Sequence, residues 1–195
     1  MAEQDQREQR ILKLAQLREM GIDPYPPRVQ RTHTAAEAIA AFQAAKEGET
    51  VPVQVAGRLM SSRVMGKSSF AHIADGSGRV QIYLRQDVVG EHTYDLWRRY
   101  VDIGDFLAAS GKMFATRTGE VTVEVESLQL VSKSLRPLPE KWHGLKDVEV
   151  RYRQRYLDLI ANEQARRAFM IRSRMISAVR RFLDTRGFLE VETPI

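Results

Sequence analysis

FAHIADGSGRVQIYLR, residues 70–85, decides how the chain is read. Two alternating runs flank Asp75-Gly76-Ser77-Gly78, residue types that tolerate positive φ, so the spacing predicts a β-hairpin. In the first arm Phe70 and His72 point one way, and Ala71 and Ile73 the other. In the second arm Val80, Ile82 and Leu84 make an apolar face opposed by Arg79, Gln81, Tyr83 and Arg85. Period-2 alternation puts the apolar set in a core and the other set on a solvated face. That face carries two aromatics, a histidine, an amide and two arginines. Two readings stand for it: a surface that stacks and edge-reads unpaired bases, or an ordinary wet sheet face.

Outward from the hairpin, strand signals run from Val51 to Leu135. VPVQVAGR (51–58) alternates and continues to Val64, with Gly57 and Gly66 marking sharp bends or close backbone approach. Tyr94–Tyr100 is a short helix with Leu96 and Trp97 as its buried residues. Phe106–Thr116 is a fourth strand, Arg117–Glu120 a turn, and Val121–Val131 a fifth strand with Val121, Val123 and Val125 on one face. Five strands with a helix between the third and fourth is the order of an oligonucleotide/oligosaccharide-binding (OB-fold) all-β barrel. Such a barrel binds through its second and third strands, where the aromatic hairpin falls; fold alone does not establish function.

Upstream, residues 1–50 read as a helical extension. Gln4–Met20 has Ile11, Leu12, Leu14, Ala15 and Leu17 at helical spacing between basic flanks, and Gly21 stands at the C′ position. Thr34-Ala-Ala-Glu37 is a capping box opening a second, alanine-rich helix that runs to about Lys46. Downstream, the prolines of SLRPLP (134–139) make a stiff connection, and residues 136–146 read as a linker between the 51–135 barrel and a separate segment, 147–195. In that segment Asp147–Ile160 is helical and arginine-rich. Asn162 caps a long amphipathic helix, Gln164–Arg186, whose stripe is Ala168, Ile171, Met175, Ala178, Val179 and Phe182. Gly187 ends it, and Phe188–Ile195 alternates like the start of a strand. An apolar stripe of this length, followed by an unpaired strand, implies covering elements outside the 195 residues, as in a truncated protein.

Composition is that of a globular protein, 43% hydrophobic and 28% charged. Neither an apolar run long enough for a bilayer nor a signal-peptide core is present, and the absence of cysteine excludes disulfides, thiolate zinc sites and cysteine nucleophiles. A cytoplasmic location and no membrane partner follow as expectations. The net charge of +5 is uneven: residues 136–186 carry 13 basic and 6 acidic groups, whereas 51–135 carry 10 and 9. This surplus suits a polyanion and equally a solvated helical surface. His33, His72, His92 and His143 lack metal-ligand spacing, and no phosphate-cradling or nucleophile motif appears. Glu190 and Glu192 share a strand face, the position of a solvated edge more than of an acid–base pair. No catalytic, cofactor-binding or metal-ligating residue is expected in the chain.

Several blocks together resemble one family, the class II lysyl-tRNA synthetases of bacterial type. They are RLMSSRVMGKSSF (58–70), RVQIY (79–83), KSLRPLP (133–139) with HGL (143–145), RYRQRYLDL (151–159) and RGFLEVETPI (186–195). The last looks like motif 1 of class II synthetases. The resemblance implies that residues 51–135 are an anticodon-binding barrel and that 147–195 open an α+β catalytic domain. It implies that Phe70 stacks on an anticodon base while Arg63 and Gln81 contact the uridines of a lysine anticodon. The family's fifth-strand glutamate aligns with Ser127, beside Glu126, and that contact is not carried over, because a one-residue slip turns a strand residue to the other face. The resemblance further implies an ATP- and magnesium-dependent lysine–tRNA ligase, homodimeric through the motif 1 region, with tRNA as partner. Motifs 2 and 3 are expected beyond residue 195, so the 195 residues alone are expected to be inactive and to bind neither ATP nor magnesium. The alternatives are a stand-alone OB-fold single-stranded nucleic-acid binder, and an interaction module that dimerises through 164–186.

Overall fold

A computed structural model describes residues 2–138 and 147–194. The chain forms two compact units, 1–137 and 138–195.

In the first unit, helices α1 (Ala2–Glu19) and α2 (Ala35–Ala44) precede strands β1 (Pro52–Met65), β2 (Ser68–Ala74) and β3 (Arg79–Arg85). Helices α3 (Gln86–Val89) and α4 (Glu91–Tyr100) follow, and then β4 (Phe106–Ala115) and β5 (Val121–Ser132). The strands close into a barrel in the order β1-β2-β3-β5-β4, antiparallel except for β3 against β5. A parallel pair cannot be joined by a tight turn, and here α3, α4 and β4 supply the long connection. This is the five-strand OB-fold with N-terminal helices that the strand order predicts.

The alternation of the hairpin holds. Ala71, Ile73, Val80, Ile82 and Leu84 are sealed in the barrel with Val55, Leu59, Leu107, Val123 and Val125. The turn differs from expectation, since neither Gly76 nor Gly78 has positive φ. The Asp75 carboxylate builds it instead, accepting from the Ser77 and Gly78 amides at 2.8 and 3.1 Å and from the Ser77 hydroxyl at 2.6 Å. An Asx turn of this kind needs no left-handed residue. The other Asp75 oxygen accepts from the Ala35 amide at 2.9 Å and so docks the hairpin tip on the start of α2. There Thr34 and Glu37 form the expected capping box, which holds the Glu37 carboxyl below its ordinary pKa.

Two glycines permit close approach. A Cβ on Gly57 would meet the Ala74 carbonyl oxygen at 2.7 Å, and one on Gly111 would overlap the Glu124 carbonyl, beside the irregularity at Ser110/Gly111. α4 starts earlier than its sequence suggests and buries Tyr94 with Trp97, while Leu96 stays half-exposed. The Tyr94 hydroxyl, which donates to the Gly66 carbonyl at 3.0 Å and lies 2.9 Å from the Ser69 hydroxyl, draws that ring inward. The short α3 was not expected.

In the second unit the expected single helix 147–160 is two, α5 (Val148–Arg153) and α6 (Arg155–Ala161), broken at Gln154, whose φ and ψ are −113° and 56°. Arg151, from across the break, and Arg155, one turn earlier in α6, both reach the buried Asp158 carboxylate, at 2.8 and 2.5 Å. Asn162 caps α7 (Glu163–Asp184). Its apolar stripe is exposed within the described residues, with Ile171, Met175, Val179 and Phe182 all more than half accessible. Residues 188–194 form no strand; Glu190 accepts from Arg180 at 2.8 Å. The linker residues 139–146 lie outside the described residues.

Candidate nucleic-acid interface

The side of β2 and β3 turned away from the core is ordered in two cross-strand rungs. One runs Arg63, Phe70, Tyr83, Glu124 across β1, β2, β3 and β5, and the next runs Ser61, His72, Gln81, Thr122. Directly opposed side chains in a sheet lie within contact distance. The Phe70 and Tyr83 rings accordingly stack at 4.4 Å with a 21° interplanar angle. Phe114 of β4 tilts against Tyr83 at 6.0 Å. These groups line a groove of about 710 Å³ that also takes in Arg117 and Glu120 from the β4–β5 turn.

The structure brings Arg63, Phe70 and Gln81 to this one groove. Arg63 is exposed and Phe70 half-buried. Gln81, expected on a solvated face, is 91% covered, because the β4–β5 turn folds over it. Its amide is fully oriented. Nε2 donates to Glu120 Oε2 at 2.7 Å, and Oε1 accepts from the Thr122 hydroxyl at 2.8 Å. A carboxylate only accepts, so the Glu120 contact decides which end of the amide is nitrogen. Glu120 is held in turn by His72, whose Nε2 is 2.8 Å from Oε1. The His72 Nδ1 lies 3.0 Å from the Ser61 hydroxyl.

Other hairpin groups do not take part. Arg79 and Arg85 are outside the groove lining; Arg85 turns to Asp87 and Glu124. Neither Glu126 nor Ser127 enters it: Glu126 pairs with Lys112 at 2.9 Å, and Ser127 opposes Ser110 in the sheet. The groove's carboxylate is Glu120, which the sequence reading treated as part of a turn. The signal that could have found it is Gly119, whose φ of 84° makes a tight turn that throws the next residue back over the sheet.

Chemically, the groove offers stacked rings for a flat aromatic ligand. A carboxylate and a carboxamide of fixed polarity face its edge, and two guanidinium groups can meet phosphate or carbonyl oxygens. Among the described residues no helix is long and apolar enough to cross a membrane, and no group of three or more His, Asp or Glu side chains is placed to hold a metal ion.

Residues 53–131 match the family described as OB-fold nucleic acid binding domain, and residues 147–195 match tRNA synthetases class II (D, K and N). Curated relatives include the lysine–tRNA ligase of Pelotomaculum thermopropionicum, 56% identical over 183 residues, which cover 94% of this chain and 35% of that protein. The Bacillus subtilis lysine–tRNA ligase is 48% identical over 194 residues, 97% of this chain and 39% of that protein. The Aquifex aeolicus lysine–tRNA ligase is 61% identical over 144 residues, 74% and 24% respectively. The chain thus spans little more than a third of the length of these relatives, or less.

Proposed function

We propose, for a chain homologous to the N-terminal portion of the lysine–tRNA ligases, that the barrel groove reads the anticodon of a lysine tRNA. The observation that carries this reading is the convergence of Arg63, Phe70 and Gln81 on one groove. Unpaired loop bases are recognised by splaying them out, stacking them on aromatic side chains and bonding their edges. Phe70, backed by Tyr83, extends a ready-made stack. Gln81 offers an edge whose donor and acceptor ends are already fixed. Arg63 sits beside Phe70 where it can reach a base oxygen or a phosphate.

For the whole protein we infer the reaction its relatives are named for, joining lysine to tRNA at the expense of ATP, with magnesium assisting the nucleotide chemistry. The residues described here are assigned the anticodon-reading part and no part in holding nucleotide or metal. A soluble cytoplasmic enzyme fits that role. The exposed Ile171–Phe182 stripe of α7 supports the further reading that this helix covers a second copy of the chain.

The test is titration of the full chain with a stem-loop carrying a UUU anticodon at fixed salt. Phe70→Ala is expected to weaken binding by about 1–3 kcal/mol, the usual loss for one base stack. Equal affinity of wild type and variant, or equal affinity of wild type for UUU and unrelated anticodons, overturns the reading; the second result favours a sequence-tolerant single-strand binder.

A further inference from the structure

We propose that His72 is a positioning residue for base discrimination, acting through Glu120 to fix which way the Gln81 amide faces. The proposal rests on the anticodon-reading role above and names a residue that role does not require. The floor of the groove is a single run of hydrogen bonds crossing four strands and the β4–β5 turn: Ser61, His72, Glu120, Gln81, Thr122. Glu120 is its pivot. The Thr116 hydroxyl accepts from the Glu120 amide at 3.0 Å and fixes the backbone, but the carboxylate itself is 45% accessible. Among the described residues each of its oxygens has one side-chain partner, His72 Nε2 on Oε1 and Gln81 Nε2 on Oε2.

A half-exposed carboxylate on a flexible stem loses rotamer entropy when it is held in one pose. His72 offsets that cost. Without its ring, Glu120 keeps, among the described residues, only the amide of Gln81 as a side-chain donor, and both become free to swing. A carboxamide released from Glu120 can turn over, exchanging its oxygen and nitrogen ends. Uracil and cytosine differ on their pairing edge by the same exchange: uracil shows an N3–H donor and an O4 acceptor, cytosine an N3 acceptor and an N4–H donor. A fixed amide therefore separates the two, and a free one does not. The polarity of the run also assigns the imidazole. Glu120 accepts, so Nε2 carries the proton, and Nδ1 accepts from the Ser61 hydroxyl.

The experiment uses the full chain in two arms. In the first, 15N-labelled imidazole is observed by NMR at pH 8 without RNA. The Nε2–H tautomer is expected for His72, and a dominant Nδ1–H form overturns the proposal. In the second, the ratio of affinities for UUU and UCU stem-loops is measured for wild type, His72→Ala and His72→Gln. His72→Ala is expected to lower the ratio about five-fold or more at an unchanged melting temperature. His72→Gln, whose amide can donate to Glu120 and accept from Ser61, is expected to restore most of it. A ratio unchanged in His72→Ala, or lost equally in both variants, overturns the proposal. Wild type that binds both loops equally overturns the anticodon reading with it, whereas a wild-type preference that survives His72→Ala overturns only the role of His72.

Discussion

Lys133 Nζ lies 2.7 Å from Asp105 Oδ2, and solvent reaches neither side chain. The pair joins the chain leaving β5 to the chain entering β4. Asp105 also accepts from the Ser134 amide at 2.7 Å and the Asp102 amide at 2.8 Å. The ammonium reaches a second carboxylate, Asp102, at 2.5 Å, which in turn takes Lys13 of α1 at 2.6 Å. Removing one member of such a buried pair strands a charge and costs about 3–5 kcal/mol, whereas replacing both with neutral groups costs far less. Lys133→Met is therefore expected to lose that much in urea denaturation, and Lys133→Met with Asp105→Asn to recover much of it.

Asp102 of this cluster and Asp75 of the hairpin turn both add to the acid sensitivity of the fold. Burial alone would raise the pKa of Asp102, but the hydrogen bonds and charges of Lys13 and Lys133 outweigh it and hold the carboxyl below its usual 3.8. Asp75 is lowered likewise: burial opposes, and the Ser77 hydroxyl with three backbone amides prevails. A folded pKa below the unfolded one contributes stability above the unfolded value and loses it as pH falls through the folded value. Stability is expected to be level from pH 7 to about pH 5 and to fall below about pH 4. Lys13→Gln should lower stability at pH 7 by about 1 kcal/mol, a difference that closes in acid as Asp102 protonates. Thermal melts of both proteins from pH 2.5 to 7 check this; a constant gap would remove Asp102 as the cause.

Two glycine substitutions separate packing from backbone freedom. Gly111→Ala drives a methyl into the Glu124 carbonyl between two paired strands and is expected to cost about 3 kcal/mol or more. Gly76→Ala meets nothing within 4 Å, and φ there is not positive. It should stabilise by about 0.4–1 kcal/mol by restricting the unfolded chain. A destabilised Gly76→Ala variant would show that the Asp75-centred turn is not the one formed in solution.

Local periodicity made most of this architecture legible. Alternation separates Phe70 and His72 from Ala71 and Ile73 without any tertiary information, and Thr34 with Glu37 announces α2. Most of what it missed depends on residues far apart in sequence. Gln81 reads as solvated because the turn that covers it lies some forty residues later. Glu120 sits in that turn, where no period exists to say which way a side chain points. Tyr94 displaces Leu96 from the core because its hydroxyl finds partners at Gly66 and Ser69. At Gln154 no proline or glycine marks the break, and the pairs of Asp158 with Arg151 and Arg155 that accompany it join residues close enough in sequence to suit an unbroken helix too.

Arg63 offers a last discrimination, between a group that reads a base and one that only meets the backbone. It opposes Phe70 across β1 and β2 and is exposed on the groove wall, so both roles are within its reach. They leave different marks. A guanidinium on a base edge confers about 1–3 kcal/mol of preference, and its loss relaxes specificity at that position. A phosphate contact is shared by every sequence, and its loss weakens all loops alike and flattens the salt dependence, by about 0.7 in the log–log slope for a single strand. The resemblance to the lysine enzymes favours the first. Arg63→Gln is expected to reduce affinity for a UUU stem-loop by more than ten-fold, and for a UCU loop by much less, with little change in salt slope. Arg63→Lys should rescue poorly, because a single ammonium cannot reproduce a two-pronged contact. Uniform weakening of both loops with a flatter salt slope, rescued by lysine, would move Arg63 from the base to the phosphate and leave Gln81 and Glu120 as the edge-reading groups.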